Sequence, residues 1–188
     1  MFVARRSLSL GLGDWIVFRQ NRPGDSEPAP DEVVCYGLGS CVALVLADAS
    51  WSRVGIAHVV LPSPYPSLGV TNELEPDATS LATIPNAARY AQTVVPFLLN
   101  QMQIKPDDAH LLQAWLAGGA QLLPLQMNPA VGPHNVSVLS ESLRRFHIPI
   151  AGQATGGHLG RTLRCWPAKR RLEVRETGNA STTWEIRA

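Results

Sequence analysis

The stretch CYGLGSCVALVLADASWSRVGIAHVVLP, residues 35–62, decides how this chain is read. A turn of Gly37, Leu38, Gly39 and Ser40 leads into an apolar run from Cys41 to Ala47. The polar segment from Asp48 to Arg53 breaks that run, and the apolar pattern resumes until Pro62. Two runs rich in Val, Leu and Ile joined by a short polar segment are most simply an antiparallel hairpin. With its centre near Ser50 or Trp51, facing residues sum to about 101, which sets Cys41 opposite Val60. His58 then lies two places along on the same face, a diagonal neighbour about 7–8 Å away.

A thiol beside an imidazole is a chemical arrangement. The imidazole can take the thiol proton, stabilise the thiolate and return a proton to a leaving group. Gly37 and Gly39 permit backbone angles that let main-chain N–H groups near Ser40 and Cys41 converge on an oxyanion. The same residues also suit a buried thiol, a locally bonded histidine and a plain turn, so spacing alone leaves both readings open.

Outward from the hairpin, GDWIVFRQ (13–20) alternates as a first strand, and the segment 21–32 reads as an exposed loop. Residues 63–85 carry prolines, acids and a glycine without periodicity, a second exposed excursion. From Asn86, taken as a cap, Ala88, Ala91, Val95, Leu98, Leu99 and Met102 recur at helical spacing, with Pro96 forcing either a kink or a later start. HLLQAWLAGG (110–119) reads as a buried strand. Val136, Leu139, Leu143 and Phe146 mark a second helix, with Asn135 as its cap, and further strand-like pieces follow from Ile148 to the C-terminal end. The expectation is a single α+β domain over 1–188, with packed mixed or antiparallel β-sheets flanked by helices.

Bulk properties narrow the partners. A formal net charge of +1 over 188 residues lacks the basic footprint of a nucleic-acid binder. No apolar run approaches the roughly 20 residues of a membrane helix, and the short opening run closed by Asp14 is not read as an export signal. Cys35, Cys41 and Cys165 are odd in number and unpaired in spacing, which fits a reducing cytoplasm. Neither the scattered histidines nor the set Cys35, Cys41 and His58 has the ligand count of a metal site.

The hairpin closely resembles the signature of the chemoreceptor glutamine deamidase family, CheD. LGLGDWIV, RYAQTVVPFLLNQM, AGGAQL, VGPHNVSVLSESLRRFHIPI and TGGHLGRTL are similar to further elements of that family, in order. The resemblance implies Cys41 as nucleophile, His58 as general base and acid, and Gly39 and Ser40 in the oxyanion turn. It implies hydrolysis of glutamine side chains on the cytoplasmic domain of methyl-accepting chemoreceptors, with methylesterase activity beside it. No metal or organic cofactor is required. It also implies a CheC-type phosphatase as partner, and a fold like the cysteine hydrolases shared with deamidating bacterial toxins. Cys35 stands where the family usually has a threonine that orients the histidine, and a thiol is a weaker hydrogen-bonding group. A CheD-like module that binds receptor or phosphatase with little turnover is the alternative expectation.

Overall fold

The computed structural model describes residues 6–19, 29–64, 83–122, 130–178 and 181–185. Most of both expected excursions, 21–32 and 63–85, lies outside them. The strands are β1 (Ser7–Leu10), β2 (Trp15–Arg19), β3 (Glu32–Leu38), β4 (Val42–Asp48), β5 (Arg53–Val59), β6 (Leu112–Gly118), β7 (Ile150–Thr155), β8 (Arg161–Trp166), β9 (Arg171–Glu176) and β10 (Ser181–Glu185). Among the described residues they form two five-stranded sheets, ordered β1-β3-β8-β9-β10 and β2-β5-β4-β6-β7. β1 runs parallel to β3 and β6 to β7, so both sheets are mixed. Helices α1 (Ala91–Gln101) and α2 (Val131–Arg145) complete an α+β fold.

The second sheet is the middle layer. Alternation along β4 sends Val42, Leu44 and Leu46 toward the helices and Ala43, Val45 and Ala47 toward the first sheet. Burial on both faces is why this strand is apolar throughout. β4 and β5 pair in the expected register, Val42 with Val59 and Ala43 with His58. Asp48 closes the turn by accepting bonds from the backbone and hydroxyl of Ser52. Trp51, in left-handed conformation at φ 57, is fully buried with its ring 5.5 Å from that of Trp115.

Three features depart from the sequence expectations. β1 was not foreseen, because four residues with only Leu10 buried make too short a pattern. Asn86 does not cap a helix: it adopts φ 52 without a capping bond, and a 3-10 turn over Ala87–Arg89 intervenes before α1. The first N–H groups of α1 are satisfied instead by the preceding loop, Ala91 to the Leu61 carbonyl and Gln92 to the Pro62 carbonyl. The later start still leaves Pro96 inside the helix. Asn135 is likewise no cap, since α2 begins at Val131 behind Ala130. Among the described residues, no helix is long and apolar enough to cross a membrane.

Candidate active site

Cys41 sits between the end of β3 and the start of β4, where glycine and serine let the chain leave one sheet and enter the other. It belongs with Ala43 to the core between the sheets, and the β4–β5 register extended by one rung places it opposite Val60. His58, on β5, faces the same layer and is almost wholly buried. The hairpin therefore brings the two residues to one face.

The Cys41 turn is held by its carbonyls. The Gly119 N–H donates to the Cys41 carbonyl and the Ala120 N–H to that of Gly39, both at 2.7 Å. Asn135 Nδ2 donates to the Ser40 carbonyl at 2.9 Å and to the Val60 carbonyl at 3.0 Å. The N–H groups of Ser40 and Cys41 have no backbone acceptor among the described residues. Three consecutive carbonyls, of Gly39, Ser40 and Cys41, are thus tied back at this turn. Arg161 braces the same region from β8, bonding the Gly156 carbonyl at 2.6 Å and pairing with Glu176 at 2.7 Å. The Gly156 N–H in turn meets the Gly118 carbonyl.

The imidazole is oriented by main chain. His58 Nδ1 lies 3.2 Å from the Leu10 carbonyl, while Nε2 is buried without a hydrogen-bond partner among the described residues. Burial pushes the His58 pKa down, opposed by the Leu10 bond and the Asp14 charge. Burial likewise raises the Cys41 thiol, opposed by the Arg89 guanidinium and by its own backbone N–H. Both shifts favour the uncharged forms, a thiol and a neutral imidazole.

Cys35 lies in the core between the sheets, and burial pushes its thiol up to about 12. Its backbone pairs with Leu10, whose carbonyl accepts the hydrogen bond of the His58 ring. Sequence reasoning missed that carbonyl, Arg161 and Arg89. The Arg89 carbonyl accepts from the Val60 and Leu61 N–H groups, and its guanidinium has no ion pair or hydrogen bond among the described residues. Beside this site an open cleft of about 520 Å3 runs along Leu10, Gly13, Asp14, Trp15 and Asn86. Among the described residues, no three His, Cys, Asp or Glu side chains gather as metal ligands would.

Residues 75–176 match the family described as CheD chemotactic sensory transduction. The chain is 34% identical over 157 residues to the chemoreceptor glutamine deamidase CheD of Bacillus velezensis, covering 82% of this chain and 87% of that protein. The Bacillus subtilis protein of the same name shows the same identity and coverage. The Halalkalibacterium halodurans protein is 34% identical over 149 residues, 78% of this chain and 84% of its own. This chain belongs to the CheD family. The family match begins beyond the hairpin, but a continuous match over 82% of the chain includes Cys41 and His58 whichever end it leaves out.

Proposed function

We propose that this CheD protein is a hydrolase that converts glutamine side chains of chemoreceptors to glutamate in chemotaxis, with Cys41 as nucleophile and His58 as base and acid. What supports the residue assignment is one observation: His58 holds a free Nε2 on the face that bears Cys41, while a carbonyl occupies its Nδ1. In the reaction, Nε2 takes the thiol proton as sulfur attacks the side-chain carbonyl carbon. The oxyanion is received by the Ser40 and Cys41 N–H groups, and the imidazolium protonates the departing ammonia. Water, deprotonated by the same nitrogen, hydrolyses the thioester and releases glutamate and the thiol. Hydrolysis of a glutamate methyl ester follows the same steps, with methanol leaving.

The substrate in this reading is the cytoplasmic domain of a methyl-accepting receptor, met in the cytoplasm, and a CheC-type phosphatase is a second partner. The whole chain acts as one domain of the cysteine-hydrolase kind shared with deamidating toxins. A second reading, a receptor-binding module with little turnover, is favoured by the burial that keeps the thiol protonated at rest. One experiment separates them. A purified receptor cytoplasmic domain is incubated with the protein or with Cys41→Ala and analysed by mass spectrometry. Gains of one mass unit at glutamines that depend on Cys41 support the enzyme. Binding without conversion supports the module, and conversion by Cys41→Ala refutes the mechanism.

A further inference from the structure

Asn135 is the fifth residue of α2 and is fully buried. α2 packs through Leu139 and Leu143 on the face of the second sheet turned away from Cys41 and His58, so Asn135 approaches the candidate site from behind. Both of its donor hydrogens are used, one on the Ser40 carbonyl and one on the Val60 carbonyl. Ser40 immediately precedes the nucleophile, and Val60 lies two residues beyond His58. Two acceptors on one side of the amide also fix its orientation, because only the nitrogen can serve both.

The strand pairing explains the need for this bond. The Cys41 carbonyl accepts from Gly119, so the alternation of an antiparallel ladder turns the Ser40 carbonyl toward β5, where the next rung would join it to Leu61. The Leu61 and Val60 N–H groups both go to the Arg89 carbonyl instead. The ladder stops at Val42 and Val59, leaving two carbonyls that need donors. Asn135 supplies them, while its own Oδ1 stays buried with no hydrogen-bond partner among the described residues. A buried orphan acceptor is unfavourable, and an apolar side chain would avoid it.

We infer that Asn135 is a positioning residue for Cys41, its amide replacing the missing rung so that the strands part at the nucleophile yet keep a fixed separation. The inference rests on the reading of Cys41 and His58 as the reacting pair.

The test uses the full chain with Asn135→Leu, which removes both donors at similar size, and Asn135→Asp, which keeps the shape. In folded variants kcat for glutamine conversion should fall about tenfold to a hundredfold with KM within about twofold, as expected when a reacting group is misplaced. As pH is lowered, the ratio of Asn135→Asp to wild-type activity should rise, because a protonated carboxyl donates one of the two bonds and a carboxylate none. Alkylation of Cys41 by iodoacetamide should show the same pH-dependent difference, and it needs no receptor. A kcat within about twofold of wild type, or an Asn135→Asp profile parallel to wild type, overturns the inference. Failure of both variants to fold at any pH assigns Asn135 to stability alone and overturns it too. Turnover by Cys41→Ala refutes the underlying reading instead, whatever the Asn135 variants do.

Discussion

The Leu10 carbonyl oxygen lies 3.2 Å from Nδ1 of His58, joining residues 48 apart in sequence. A carbonyl only accepts, so Nδ1 carries the proton and Nε2 keeps its lone pair. That is the tautomer the proposed role of His58 as general base requires. β1 holds Leu10 in place by pairing with β3, with Leu10 opposite Cys35. A short edge strand thereby becomes part of the site.

The first prediction concerns pH. Burial lowers the His58 pKa from its ordinary 6.5. As pH falls, the unfolded chain takes up this proton before the folded one does. The stability contributed by His58 is therefore complete above about pH 6.5 and is lost as pH falls toward the folded value. In the proposed mechanism His58 must be neutral to act as base, so the acid limb of kcat/KM should lie below pH 6.5 and no activity should remain in His58→Gln. Rate profiles and urea unfolding between about pH 5 and 8 measure both effects. An acid limb above 6.5 contradicts the buried, neutral ring.

The second concerns Cys35. Since the Leu10 carbonyl already occupies Nδ1, Cys35→Thr should leave kcat within about twofold of wild type. The hydroxyl enters a fully buried position among Val33, Leu163 and Cys165, at a cost of about 1–3 kcal/mol where it finds no partner. Denaturant unfolding and steady-state kinetics on the same preparation check the two halves. A gain of tenfold or more in kcat would mean that the hydroxyl, and not the carbonyl, orients the ring.

The third concerns Arg89, whose charge opposes the effect of burial on Cys41. Arg89→Met should slow alkylation of Cys41 at fixed pH by about threefold to tenfold, and Arg89→Lys should restore most of the rate. Added salt should narrow the gap between the variants, because a partly exposed charge is screened. Equal rates for all three proteins would leave the guanidinium without a role at the thiol.

The hairpin that carries the candidate pair was legible in the sequence, for identifiable reasons. The β4–β5 register followed from two apolar runs, a polar turn and burial on both faces, which together penalise any slip by one residue. That register brought Cys41 and His58 to one face. The Leu10 carbonyl was not legible, because a main-chain atom carries no residue identity. By composition Asn86 and Asn135 both resemble helix caps, because sequence cannot distinguish a capping amide from one in a left-handed bend or one bridging two carbonyls. Arg89 went unnoticed because the 3-10 turn that places it looks, by periodicity, like the first turn of α1.

The fourth prediction tests the clamp on the Cys41 turn. Gly118 ends β6 at φ +112, and a Cβ there would stand 2.2 Å from the Cys41 carbonyl oxygen, a main-chain atom with no flexible side chain to yield. Gly118→Ala must therefore strain its own backbone and push the Cys41 peptide away at once. The strained dihedral alone costs about 1–3 kcal/mol. The displaced carbonyl also loses its bond from the Gly119 N–H, which disturbs the two N–H groups assigned to the oxyanion. Gly178→Ala is the matched control, because it too has positive φ, at +80, but its added Cβ meets nothing within 4 Å. Both variants should unfold at lower denaturant, whereas only Gly118→Ala should also lose Cys41 reactivity and glutamine turnover. Equal losses of activity in the two would mean that the Gly118 approach does not position the nucleophile.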